Sequence, residues 1–133
     1  MQNKNCSETY ATLRIVGKAI DPAVVTQTFG LEPTFSVRVG ESRPAGTRPR
    51  AEAIWAYSTQ RTVDSTDLAD HVHTLIERFS PDLRRGLPND CRVDIQCVWR
   101  SATGHGGPIL PAALLEAVGS RGIDLDFDIY FDE

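Results

Sequence analysis

The sequence predicts an α+β domain: a ferredoxin-like β-α-β-β-α-β unit extended by a C-terminal helix and strand, with helices on one face of a mainly antiparallel sheet. Three observations predict it. Apolar and polar residues alternate with period two through residues 10–16, 91–100 and 123–131, as half-buried strands do. Leu68, Val72, Leu75, Ile76 and Phe79 recur at spacings of 0, 4, 7, 8 and 11, the apolar stripe of an amphipathic helix. The segments follow one another as β-α-β-β-α-β-α-β, and the first six have the succession of a ferredoxin-like unit.

Each element has a local cause. Residues 1–8 are polar and predict a flexible N-terminal segment, which leaves a single domain over residues 9–132. In the first strand Ala11, Leu13 and Ile15 share one face. Asp21-Pro22 then offers an N-cap followed by proline at the first helical position, and Gly30 offers a left-handed stop. Residues 35–39 and 54–58 read as a strand pair joined by a long loop, 40–53, rich in Pro, Gly and Arg. Asp64 or Ser65 is the expected cap of the second helix. Residues 80–90, with two prolines and a glycine, form a connector. The next strand sets Cys91, Val93, Ile95, Cys97 and Trp99 on one face and Arg92, Asp94, Gln96 and Arg100 on the other. Gly104-His105-Gly106-Gly107-Pro108 turns the chain into a short helix with Leu114, Leu115 and Val118 inward and Gly122 as its stop. The last strand sets Ile123, Leu125, Phe127, Ile129 and Phe131 on one face and Asp124, Asp126, Asp128 and Tyr130 on the other.

Composition narrows the class. The chain has 133 residues, 41% of them apolar and 24% charged, enough for one core without a disulfide or metal staple. A net charge of −4, from 14 basic and 18 acidic side chains, argues against a broad nucleic-acid surface. No signal-peptide pattern opens the chain. No apolar run approaches the roughly 18 residues of a membrane span. Cys6, Cys91 and Cys97 are odd in number. The last two sit about 20 Å apart on one strand, too far to bridge. A reducing cytoplasm is the expected location.

Six segments, taken together, resemble the bacterial domain of unknown function 4279 family: residues 10–15, Gly30-Leu31-Glu32-Pro33-Thr34, the strand around Trp55, Val93-Asp94-Ile95-Gln96-Cys97, Gly106-Gly107-Pro108, and the closing stretch from Leu125 to Phe131. The resemblance runs from about residue 9 to 132 and is most specific at its end. It implies a stand-alone bacterial domain and carries no catalytic residues with it.

The candidate functional residues follow from the strand parities. Asp124, Asp126 and Asp128 point to one side, about 7 Å apart, and Asp132 would extend the row. Arg14, Arg92, Arg100 and Asp94 have the parity to join them if their strands are neighbours. Three readings fit this ladder: a solvated face of cross-strand ion pairs, a surface recognising a basic partner, or a divalent-cation site completed by Asp94 or a loop ligand. His105 lies between glycines before a helix, where successive amides can cradle an anion; the plainer reading is a tight connection with an exposed histidine. Arg43, Arg48 and Arg50, with Arg38 just before them, make the long loop basic, either as an anion clamp or as a solvated excursion. His71 and His73 are two apart on a helix and make no metal pair; they are expected on its flanks. Cys91, Cys97, Trp55 and Trp99 are expected in the core, and Cys6 as an exposed thiol.

No nucleophile–base pair, metal-ligand spacing or phosphate loop is present, so a non-catalytic protein-binding domain is favoured, with the acidic strand face as its contact. Bacterial immunity proteins that neutralise a toxin share this compositional profile. The alternative is a small anion- or metal-binding domain, or a hydrolase, with a site near His105 and the Asp94, Asp126 and Asp128 face. No cofactor is expected, and a homodimer through an edge strand or the open face is compatible with the pattern.

Overall fold

The computed structural model of the protein describes residues 2–41, 49–79 and 81–131. Strand β1, Cys6–Gly17, is the long central element. It begins four residues before the alternation predicts. Ser7 and Glu8 are polar because they face solvent, whereas Cys6 turns inward and is only 7% exposed. This corrects two expectations: residues 6–8 belong to the sheet, with Glu8 opposite Arg100, and Cys6 is a core thiol. Further upstream, the Asn3 amide donates to Thr66 Oγ1 (3.0 Å) and the Thr66 amide donates to Gln2 Oε1 (2.7 Å).

Helix α1, Pro22–Phe29, has the predicted ends: the Asp21 carboxylate accepts from the Ala23 amide (3.0 Å), and Gly30, at φ 67°, donates to the Thr26 carbonyl (2.8 Å). Strand β2 is Phe35–Val37, two residues shorter than predicted, and β3 is Ala53–Ser58. Arg43 and Arg48 lie outside the described residues, as does Asp132.

Helix α2, Leu68–Arg78, starts from Asp67, not from Asp64 or Ser65. The Asp67 carboxylate accepts from the Ala69 amide (3.1 Å), while the Ser65 hydroxyl donates to Asp70 (2.6 Å). His71 is not a flanking residue: it is 1% exposed. Its Nε2–H donates to the Ser65 carbonyl (2.9 Å), since a carbonyl can only accept, and its Nδ1 meets the buried Thr59 hydroxyl at 2.6 Å. His73 is exposed and sits 3.4 Å from Glu77.

After a 3-10 turn, Leu83–Gly86, come β4, Arg92–Ser101, helix α3, Ala112–Ser120, and β5, Asp124–Tyr130. The five strands form one sheet in the order β2-β3-β1-β4-β5. The sheet is mixed. β2/β3, β3/β1 and β1/β4 are antiparallel, but β4/β5 is parallel, because α3 carries the chain back to start β5 in the direction of β4.

All three helices pack on the face bearing Leu13, Ile15, Trp55, Ile95, Cys97 and Trp99, and supply Val25, Val72, Leu75, Leu114 and Val118 to the same core. Both tryptophans are fully buried, as expected. Trp55 Nε1 donates to Thr26 Oγ1 (3.0 Å), whereas Trp99 Nε1 has no partner among the described residues. Leu115, expected inward, is exposed: the inner face of α3 is Leu114 and Val118. Among the described residues no helix is long and apolar enough to cross a membrane.

Candidate functional site

With the helices on one side, the other side of the sheet is bare. It presents Tyr10, Thr12 and Arg14 from β1, Ile54 and Ser58 from β3, Asp94 and Gln96 from β4, and the aspartates of β5. Period-two alternation puts these residues here, because their sequence neighbours are the core.

Register brings the predicted residues together. Arg14 stands opposite Asp94, and Asp94 opposite Asp124. The Arg14 guanidinium donates from Nε to Asp94 Oδ1 (2.8 Å) and from Nη2 to Asp94 Oδ2 (2.6 Å), then reaches Asp126 Oδ2 at 3.3 Å. The hydrogen bonds that Arg14 donates to Asp94 hold the Arg14 pKa above its ordinary value, outweighing partial burial. Arg92 pairs through both terminal nitrogens with Glu52 (3.1 and 3.3 Å). Arg100 lies 4.2 Å over the Tyr130 ring and 3.4 Å from Glu8. Tyr130 donates to Asp128 Oδ2 (2.7 Å), which raises the phenol pKa.

The ladder is therefore divided. Its inner part is tied into a network through Arg14, while Asp124 and Asp126 on β5 remain exposed. At one end of the face, Arg14, Arg50, Arg92, Glu52 and Asp94 surround a hollow of ≈ 270 Å³. A second hollow of ≈ 380 Å³ adjoins it, sharing Arg14 and Ile54, and is lined by Tyr10, Thr12, Ser58 and Gln96. Arg38 faces elsewhere, 3.5 Å from Asp21.

His105 lies apart from the Arg14–Asp94 pair. Its carbonyl accepts from the Ser101 hydroxyl (2.7 Å), which fixes it beyond the end of β4. Asp94 is seven residues back along that strand from Ser101, about 23 Å away. The glycine turn also stops short of α3, since Ile109, Leu110 and Pro111 intervene. Within the turn Gly106 has φ 93°, and a Cβ there would come 2.8 Å from Asn5 Cβ, so the close approach to the residue just before β1 requires glycine. Among the described residues no group of three or more His, Cys, Asp or Glu could hold a metal ion.

Glu52 is a face residue that sequence reading missed. It sits in the predicted loop, but shares the parity of Ile54 and precedes it by two, which is the signal that finds it. Tyr130 lies on the face its parity predicts, yet its bond to Asp128 has no sequence signature.

No curated protein and no solved structure matches the chain. The model of one family, described as a domain of unknown function (DUF4279), matches residues 7–132, nearly its whole length. The sequence segments and the family model agree, and the chain belongs to the domain of unknown function 4279 family.

Proposed function

We propose that this is a non-catalytic protein-binding domain whose contact surface is the bare sheet face, acidic along β5, and that its partner is basic. The supporting observation is the asymmetry of that face: Arg14 holds Asp94 and leans on Asp126, while Asp124 and Asp126 stay open to solvent at the outer strand. A rigid, hydrogen-bonded strand presents these carboxylates at fixed spacing, which favours recognition through charge complementarity. A partner-neutralising role, as in immunity proteins, fits a domain of this size and charge. A bacterial cytoplasmic setting is consistent with three free, buried cysteines.

We read the first four strands, in the order β2-β3-β1-β4, as a ferredoxin-like unit to which α3 and β5 are added. The addition matters for the proposal, because β5 is the strand that carries the aspartates. The separation of His105 from Asp94 gives an acid–base site built on those two residues no support, and two arginines of the hollow, Arg14 and Arg92, are already matched by Asp94 and Glu52.

Affinity capture from native extract tests the proposal. The wild-type domain should retain one protein in stoichiometric amount, and the folded Asp126→Arg/Asp128→Arg variant should lose it. Equal retention by both would rule out the acidic face.

A further inference from the structure

The outer edge of β5 is where the sheet stops. β5 pairs with β4 alone among the described residues; it is seven residues long and contains no proline. Half of its backbone amides and carbonyls therefore face outward, a ready template for another strand. The opposite edge is far less suited, since β2 has only three residues.

The side chains of β5 say what kind of strand would fit. On the helix side Leu125 packs against the core, but Phe127, Ile129 and the following Phe131 are 43%, 38% and 54% exposed. Among the described residues no sixth strand continues the sheet beside them. On the bare side stand Asp124, Asp126 and Asp128. The edge is thus two-faced, with an apolar row on one side and an acidic row on the other.

A second copy of the chain fits poorly. In a two-fold antiparallel pairing the same faces of the two sheets meet, so the three aspartates would oppose three aspartates. The charge pattern calls instead for a strand that is basic where β5 is acidic.

We propose that β5 receives an extended segment of a partner protein as a sixth strand, with Lys or Arg at alternate positions against Asp124, Asp126 and Asp128, and apolar residues between them against Phe127, Ile129 and Phe131. This rests on the protein-binding reading above and adds its mode. Backbone hydrogen bonds supply the generic affinity, and the two rows of side chains set face and register.

A fluorescently labelled peptide of roughly nine residues, alternating lysine and valine, is the probe, matched to the length of β5. Anisotropy titration should show saturable binding to the wild-type protein. Three control peptides isolate the cause: alternate backbone N-methylation, glutamate in place of lysine, and the same composition with lysines and valines in separate blocks. Each should fail to bind. Asp124→Lys/Asp126→Lys should weaken the alternating peptide about tenfold. Absence of binding by the alternating peptide, or equal binding by the N-methylated or blocked peptide, would overturn strand addition. If the native partner is still captured in a face-dependent way when the peptide fails, only the mode is lost; if capture fails as well, the protein-binding reading falls with it.

Discussion

Arg14 and Asp94 stand directly opposite each other on β1 and β4, and the guanidinium grips the carboxylate with two hydrogen bonds of 2.8 and 2.6 Å. The pair organises the bare face, because the same guanidinium reaches across to Asp126 on β5. Both side chains are more than two-thirds shielded, so solvent screens the pair less than a surface ion pair.

A double-mutant cycle over Arg14→Met and Asp94→Asn should give a coupling of about 1 kcal/mol in urea unfolding. Coupling below about 0.3 kcal/mol would place the pair with ordinary exposed ion pairs.

The buried Thr59 hydroxyl accepts from the Ala11 amide (3.1 Å) and meets His71 Nδ1 at 2.6 Å, tying β1, the end of β3 and α2 together. Thr59→Val keeps the shape and strands both partners, so it should cost about 1–3 kcal/mol. Thr59→Ser keeps the hydroxyl and should cost clearly less. Equal losses in the two variants would mean that the methyl group, not the network, matters.

The two tryptophans make a matched comparison. Trp55→Phe removes a hydrogen bond to Thr26 together with volume, whereas Trp99→Phe removes volume and an unpartnered N–H. Trp55→Phe should be the more damaging, by about 1 kcal/mol. Thermal melts of the two proteins decide it, and the reverse order contradicts the assigned bonds.

Burial pushes the Cys97 thiol from 9.0 up to about 12, with the charges of Asp126 and Asp94 adding to the effect. The unfolded chain ionises this thiol near 9.0 while the folded chain keeps its proton, so stability is intact below that pH and falls from there toward about 12. Stability curves of wild type and Cys97→Ala should converge across this window as the wild type declines more steeply. A constant gap would show that the thiol ionises alike in both states. Thiol reagents at neutral pH should leave Cys97 unmodified in the native protein.

Gly106 and Gly107 are adjacent yet unequal. A Cβ on Gly106 would lie 2.8 Å from Asn5 Cβ at φ 93°, and one on Gly107 would meet nothing within 4 Å. Gly106→Ala should therefore cost more than about 1 kcal/mol and Gly107→Ala close to nothing. Similar melting temperatures for the two variants would contradict the turn geometry.

The legible parts of the molecule were those ruled by period and by caps. Alternation through residues 91–100 and 123–131 put Asp94 and the β5 aspartates on one side of their strands, and Asp21 and Gly30 marked the ends of α1. Arg14 was a conditional member of the face: its parity was visible, its pairing needed the register. Other features depend on long-range partners that parity does not encode. Cys6 looked exposed in a polar stretch, yet it lies in the core because β1 extends to meet β4. His71 looked like a flank until Thr59, twelve residues away, met its ring. The parallel pairing of β5 was hidden for the same reason, and with it the exposed row of Phe127, Ile129 and Phe131 on an edge that alternation alone reads as core.

The central claim is that the bare sheet face, not the helical face, meets the partner. The direct test compares capture by two folded variants: Asp126→Arg/Asp128→Arg on the bare face, and His73→Glu/Glu77→Arg on the exposed side of α2. The account predicts that the first loses the protein retained by wild type and the second keeps it. Loss in the helix variant with retention in the sheet variant would contradict it.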